Sequence, residues 1–247
     1  MSLLQALLLG IIQGITEFLP ISSSGHLVLT ESLLNLEVDQ LKDFDVIVHV
    51  GTLLAILIYF RREVLNTKYW PYLIIGTIPA VIVGLTLENQ IDAVFRSALS
   101  VGIVMIIVGL IFTIPEKKFK SEKKLTWKNA ILIGIAQAVA IIPGVSRSGS
   151  TIFTATFLGL KREEAARFSF LLGSIAIAGA GLLTALDLSE ITLGYDRLLI
   201  GFFAALFSGL FAVSWLMKYL KKHSLKTFGF YLIAIGTITI LASIKTF

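Results

Sequence analysis

The sequence predicts an all-α integral membrane protein. Its expected plan is ten helical segments in two inverted-topology repeats, each with one re-entrant helical hairpin plus three transmembrane helices. Three observations point there. The chain is 56% hydrophobic and only 15% charged, with a mean hydropathy of +0.88. Uncharged runs cover 69–87, 97–115, 129–146, 168–186, 198–217 and 227–244, most near the roughly 20 residues that a membrane-spanning helix needs. And one polar, glycine-containing stretch occurs twice, as GIIQGITEFLPISSSGH from Gly10 to His26 and GIAQAVAIIPGVSRSGS from Gly134 to Ser150. A bilayer admits only helices or closed barrels as spanning structures. Runs such as VGIVMIIVGLIF lack the apolar–polar alternation of a barrel strand.

The segments are expected at about 3–18, 23–34, 44–60, 69–87, 97–114, 128–141, 147–159, 163–185, 195–219 and 226–245. Those at 23–34, 128–141 and 147–159 are short for a crossing, and Pro20 limits the first. Each short pair, 3–18 with 23–34 and 128–141 with 147–159, is joined by a Pro-Ser-Gly stretch, the pattern of a hairpin that enters the membrane and leaves on the same side. One hairpin and three crossings per half is an odd count. The second half then starts on the opposite face, as in inverted repeats. The chain reads as one membrane domain over residues 1–247, with repeat one at about 1–115, a cytoplasmic linker at about 115–128 and repeat two at about 125–247.

Loop charges agree with that count. Arg61, Arg62 and Lys68; then Lys117, Lys118, Lys120, Lys123, Lys124 and Lys128; then Lys161 and Arg162; then Lys218, Lys221, Lys222 and Lys226 mark cytoplasmic linkers. The alternate linkers carry Glu37, Asp39, Asp43 and Asp45; Glu88 and Asp92; Asp187, Glu190 and Asp196. Both termini are then expected outside. A hairpin and a pair of crossings share parity, so length alone separates them. Trp70, Tyr69, Tyr72, Trp127, Trp215 and Tyr219 near segment ends read as interfacial anchors. The net charge of +5 follows this loop pattern, and no nucleic-acid partner is expected. The absence of cysteine excludes disulfide and thiolate chemistry. Residues 1–16 lack the basic leading region of a signal peptide.

Superposing Gly10 on Gly134 pairs Gln13 with Gln137, Ser22 with Ser146, Ser24 with Ser148 and Gly25 with Gly149. The ionisable groups differ: Glu17 and His26 in the first copy, Arg147 in the second. Serine is a good helix N-cap, and the amides and dipole of a helix start favour an anion. Two hairpins dipping in from opposite faces would let two such starts grip one anion, with Arg147 adding a charge suited to phosphate. The rival reading of the serine–glycine stretches is close helix packing. Glu17, His26 and Arg147 weigh against packing alone, because an ionisable group at membrane depth costs about 2.5–3.5 kcal/mol on insertion scales. Gln13 and Glu17 share one helix face and could hold a metal ion or position a partner. His49 is open between lining the site and bonding a neighbouring helix. Arg167 is expected to snorkel to the cytoplasmic face, and Glu163 and Glu164 to favour a helix start.

At these residues the sequence resembles the bacterial and archaeal undecaprenyl-diphosphate phosphatase family, the bacitracin-resistance type. The family pattern E/Q-x-x-x-E matches Gln13 to Glu17. A serine-rich turn ending in Gly-His matches Ser22 to His26, and P-G-x-S-R-S-x-x-T matches PGVSRSGST, Pro143 to Thr151. The likeness runs the full length, including KREEAARFSFLL from Lys161. Gln13 stands where many members have an acid, so a metal site would hold one carboxylate fewer. The acid-phosphatase-like lipid phosphatases share Ser-Gly-His and an Arg, but their later histidine and aspartate motif is not visible after Arg147.

The resemblance implies a phosphatase that hydrolyses undecaprenyl (polyprenyl) diphosphate to the monophosphate and recycles the lipid carrier. It places a multi-pass enzyme in the cell membrane with its site open to the extracytoplasmic side and a divalent cation, magnesium or calcium, held at Gln13 and Glu17. Carried over by position, the catalytic residues are Glu17, Ser23, His26 and Arg147. Ser23 is the nucleophile or the residue that orients it. His26 is the general acid/base or, in the rival version, the nucleophile itself. Glu17 orients His26 or holds the metal. Substrate binding falls to Gln13, Ser22, Ser24, Gly25, Ser146, Ser148, Gly149 and Thr151. The partners are a polyprenyl diphosphate lipid and the bilayer; a homodimer fits as well as a monomer. The alternative function is a transporter or flippase for a phospholipid or anion built on the same inverted repeat. Isoprenoid length and the identity of the metal are not legible in the residues.

Overall fold

The computed structural model describes residues 1–34, 36, 41–95, 97–115, 124–187 and 193–245. The loop charges expected at Glu37, Asp39, Glu190 and at Lys117, Lys118, Lys120 and Lys123 lie outside the described residues. Among the described residues the chain forms eleven helices and no strand. They are α1 Leu3–Phe18, α2 Ser23–Leu33, α3 Lys42–Tyr59, α4 Arg61–Val64, α5 Trp70–Phe95, α6 Ala98–Thr113, α7 Trp127–Val139, α8 Arg147–Phe157, α9 Arg162–Asp187, α10 Tyr195–Leu220 and α11 Lys226–Lys245.

Local chemistry sets most boundaries. A capping box opens α1: Ser2 Oγ accepts from the Gln5 amide at 3.2 Å, and Gln5 Oε1 accepts from the Ser2 amide at 2.7 Å. Pro20 closes it, since the residue before a proline is pushed out of helical geometry, and Leu19 is extended with ψ 142°. Ser97, Thr126 and Ser146 cap α6, α7 and α8 through their side-chain oxygens. Two elements depart from expectation. The four-residue α4 occupies the linker after Tyr59, where the Trp70 indole donates to the Val64 carbonyl at 3.1 Å. And α5 runs on to Phe95 rather than stopping near residue 87. Glu88 and Asp92 end an apolar run, but no glycine or proline follows them to end the helix.

Among the described residues four helices are long and apolar enough to cross a membrane: Trp70–Phe95, Arg162–Thr184, Tyr195–Leu220 and Lys226–Ser243. Six crossings were expected, and α3 and α6 are not among the four. At about 1.5 Å per residue, the 16 residues of α6 extend about 24 Å, less than a hydrocarbon core of about 30 Å.

The bundle is held by glycine contacts that bring backbones together. In the pairing of α6 with α11, a methyl placed on Gly109 would lie 2.7 Å from the Gly229 carbonyl oxygen, and one on Gly236 would lie 2.6 Å from that of Gly102. The pairing of α1 with α10 puts Gly10 against Gly201, where a methyl would stand 2.6 Å from the carbonyl oxygen. The pairing of α7 with α5 sets Gly134 against Gly76 in the same way. Such close approach is how membrane helices pack without a hydrophobic drive between them. At the centre α3 meets α9, and a column of rings runs through the buried core. Phe18 meets Phe170 edge-on at 5.7 Å, and Phe170 meets Phe60 at 6.0 Å.

Candidate active site

The two motif turns meet. Ser148 Oγ at the start of α8 donates to the Leu19 carbonyl at 3.1 Å. A methyl on Gly149 would lie 3.0 Å from Pro20 Cβ and closer still to the Phe112 ring, so only glycine lets the second turn sit this near the first. Gly25, in the other turn, is packed in the same manner on Met105 and Val101 of α6. Together these contacts bring the start of α2 and the start of α8 into one region of the buried core.

Glu17 is the hub. Its carboxylate is buried, with both oxygens engaged. Arg147 Nη2 donates to Oε1. Ser23 Oγ donates to Oε2 at 2.7 Å, and Gln13 Nε2 donates to the same oxygen at 3.1 Å. The spacing of Gln13 and Glu17 explains their bond, since residues four apart on a helix face each other. Arg147 comes from the other half of the chain. It is fixed by a second bond, Nη1 to the Gly173 carbonyl of α9 at 2.6 Å. A methyl on Gly173 would lie 2.6 Å from that same nitrogen, so this glycine is the seat of the guanidinium.

His26 is held apart from Glu17. Its Nδ1 stands 2.8 Å from the Ser22 carbonyl, which can only accept, so Nδ1 carries the proton. Nε2 is then the free lone pair, and it accepts from the Tyr231 hydroxyl at 2.8 Å. The two rings stack at 5.7 Å with 9° between their planes. To make this turn, Ser22 takes φ +69°, the only positive φ outside glycine among the described residues. That conformation costs of order 1–3 kcal/mol for a residue with a Cβ, and it aims the Ser22 carbonyl at His26. Glu17 was expected to orient His26 or hold the metal; its carboxylate accepts from Ser23 rather than from His26.

The other predicted residues are placed as follows. Ser146 caps α8, accepting from the Gly149 amide at 3.2 Å, and Ser22 Oγ and Ser24 Oγ stand 3.4 Å apart. Ser24 is exposed, whereas Ser146, Ser148 and Thr151 are buried. Thr151 is structural in its contacts: its hydroxyl donates to the Arg147 carbonyl at 2.8 Å and meets Ser169. His49, left open by the sequence, donates from Nδ1 to the Asp45 carbonyl at 2.7 Å. Arg167 does not simply reach outward; its Nε stands 3.4 Å from Glu63. Sequence reasoning missed Tyr231, Gly173 and Ser169. A signal existed for Tyr231: a phenol within the uncharged run at 227–244 needs a partner for its hydroxyl.

Two observations bear on a cation. Among the described residues no three His, Cys, Asp or Glu side chains gather as a metal cage. Yet Gln13, fully buried beside Glu17, has its Oε1 without a hydrogen-bond partner, a neutral oxygen of the kind hard cations take. One carboxylate and one amide oxygen do not fit an all-protein cage. They fit a cation that keeps water and substrate oxygens, as magnesium commonly does. Gln137, the counterpart of Gln13, is also buried with both amide atoms unpartnered, and no carboxylate stands four residues on.

Comparison with known proteins places the chain in a family. The family described as bacitracin resistance protein BacA matches residues 6–238. The chain is 44% identical to an undecaprenyl-diphosphatase of Carboxydothermus hydrogenoformans, over 98% of this chain and 97% of that protein. It is 38% identical to an undecaprenyl-diphosphatase of Methanosphaera stadtmanae over 99% of both, and 41% identical to undecaprenyl-diphosphatase 4 of Bacillus thuringiensis over 97% of both. With both halves of the motif set in one buried cluster and the match covering nearly the whole chain, the protein belongs to the bacitracin resistance protein BacA family.

Proposed function

We propose that this chain hydrolyses undecaprenyl diphosphate to undecaprenyl monophosphate and inorganic phosphate at the cluster around Glu17 and Arg147. The relatives are named for that reaction. The observation that carries the reading is the shared carboxylate: Glu17 of the first motif holds both the Ser23 hydroxyl and the Arg147 guanidinium of the second. Transport has no support here. The relatives are named for hydrolysis, and a carrier gains little from an acid buried beside its anionic cargo.

Phosphoryl transfer asks for positioning and for charge neutralisation. Arg147 turns from Glu17 towards the incoming diphosphate, while its bond to the Gly173 carbonyl keeps it on α9. The first turns of α2 and α8 offer amides to the phosphate oxygens. Ser23 Oγ, already donating to Glu17 Oε2, passes its proton there as its lone pair attacks the terminal phosphorus. The bond from that phosphorus to the bridging oxygen breaks, and the lipid monophosphate leaves with the bridging oxygen. Water, losing a proton to His26 Nε2 once that nitrogen is released from Tyr231, then attacks the phosphoserine, and Ser23 Oγ leaves with the proton held on Glu17, which restores the serine. In the rival version His26 Nε2, released from Tyr231, attacks in place of Ser23. A divalent cation would be held by Glu17 and the free Gln13 Oε1, and it would offset diphosphate charge.

The architecture proposed around this site is an inverted pair of repeats with α1–α2 and α7–α8 as re-entrant hairpins, opening to the extracytoplasmic side. Helix pairings support it. One shift along the chain takes Gly102 to Gly229 and Gly109 to Gly236, and it exchanges the two contacts between α6 and α11. The contact of Gly10 on α1 with Gly201 on α10 likewise has its counterpart in Gly134 on α7 with Gly76 on α5. The basic linkers support the sidedness.

The test is phosphate release from undecaprenyl diphosphate by the purified protein in detergent, with and without a chelator. Inorganic phosphate and lipid monophosphate in equal amounts, suppressed by the chelator, are expected. An intact substrate after prolonged incubation would remove the reading. Acid quenching with labelled diphosphate separates the two nucleophiles: acid-stable label on Ser23 is expected, and acid-labile label lost in His26→Ala would reassign the attack.

A further inference from the structure

A cavity lies at one end of the bundle and is lined by none of the residues placed in the active site. It holds about 650 Å³ between the end of α3, the short α4, the first turns of α9 and the last turns of α10. Five cations line it: Arg61, Arg62, Arg167, Lys218 and Lys221. Two acids face them, Glu63 and Glu163. Each acid is already engaged, Glu63 with Arg167 at 3.4 Å and Glu163 with Lys221 at 3.7 Å. Among the described residues Arg61, Arg62 and Lys218 form no ion pair. The cavity therefore carries an uncompensated positive charge. Ile58, Leu210 and Met217 give it an apolar wall beside the cations.

Loop charge by itself is a sidedness signal and needs no ligand. Two features go beyond it here. The cations surround a concavity large enough for a headgroup rather than lying along a convex loop. And Arg167, half-buried, is fixed by Glu63 with its guanidinium still lining the space. Arginine forks and lysines around a recess with an apolar flank match a phosphate group carried at a hydrocarbon surface. We propose that this cavity is an anion site for a phosphate group, of the kind a phospholipid headgroup or free phosphate carries. It is separate from the diphosphate-cleaving centre, and its occupancy does not depend on that centre's chemistry.

Native mass spectrometry of the full chain in a neutral detergent tests it, with phosphatidylglycerol and phosphatidylcholine as probes. Retention of phosphatidylglycerol over phosphatidylcholine is expected. The double variant Arg61→Ala with Lys218→Ala should weaken phosphatidylglycerol retention by about tenfold or more, the effect of losing charge-assisted contacts, at an unchanged thermal midpoint. Millimolar inorganic phosphate added as competitor separates the sources. Displacement of the lipid assigns the site to the phosphate group alone, and its failure assigns it to the whole lipid. Equal retention of the two lipids, or undiminished phosphatidylglycerol retention by the double variant, would overturn the proposal.

Discussion

A carboxylate that holds a serine and an arginine at once has a measurable consequence. Breaking a buried ion pair from one side leaves the other charge uncompensated, which typically costs 3–5 kcal/mol. Arg147 keeps 21% of its side chain exposed, so about 3 kcal/mol is expected for Glu17→Ala or Arg147→Ala alone. The double variant should recover much of that loss in a thermal or denaturant melt while remaining inactive. Additive losses in the double variant would mean the two charges do not meet. Gly173 allows a cleaner separation. Alanine is favoured over glycine inside a helix by about 1 kcal/mol, but its methyl would press on the Arg147 guanidinium at 2.6 Å. Gly173→Ala should therefore keep or raise the melting midpoint while lowering kcat; unchanged turnover would show that Arg147 is not seated there during catalysis. Tyr231→Phe keeps the stack on His26 and removes the donor to Nε2. A loss of about 1 kcal/mol in stability is expected, with phosphate release retained, against a loss of about 100-fold or more for His26→Ala. An equal loss in both would place the tyrosine hydroxyl in the proton transfer itself.

At the level of helices, the serine cap of the second motif and the proline limit on the first helix were legible: Ser146 caps α8 and α1 stops before Pro20. Ser97 and Thr126 cap α6 and α7 in the same way without standing out in the sequence, because a lone serine or threonine beside an apolar run is common. The length of α5 was not legible, because charge marks the edge of a membrane run rather than the end of a helix. The glycine contacts of α6 with α11 were hidden for a different reason: a glycine in an apolar run does not say which backbone it will touch. Those contacts meet carbonyl oxygens, not flexible side chains, so the helices must separate to admit a methyl. Gly109→Val or Gly229→Val should destabilise the fold by about 1–3 kcal/mol, read as a lower melting midpoint in detergent. A midpoint within experimental error of the wild type would show that α6 and α11 are not locked at this crossing.

Across the whole molecule, the chain's repeat pointed to one polar region. The stretches Gly10 to His26 and Gly134 to Ser150 singled out Gln13, Glu17, His26 and Arg147, and the family resemblance added Ser23; the structure gathers Gln13, Ser23 and Arg147 around Glu17 and pairs His26 with Tyr231 instead. What no alignment of the two stretches could give was the partition among them. Glu17 and Arg147 stand at unrelated positions of the two copies, and their meeting depends on how the halves pack. The same packing sends His26 to Tyr231, far along the chain on α11, and leaves Ser23 beside Gln13 and Arg147 on the carboxylate. In a chain short of charge, ionisable groups outside the linkers that flank the spans gather in the buried cluster, while five cations line the basic cavity at the ends of α3, α4, α9 and α10.

Whether the two motifs act as one centre is tested most directly by the rate of inorganic phosphate release from undecaprenyl diphosphate by Arg147→Ala beside the wild type, both in detergent. With Arg147 in the second motif and the proposed serine nucleophile in the first, a fall in kcat of about 10²–10³-fold is predicted, the usual cost of removing a donor aimed at developing charge. Turnover by Arg147→Ala within a few fold of the wild type would contradict it.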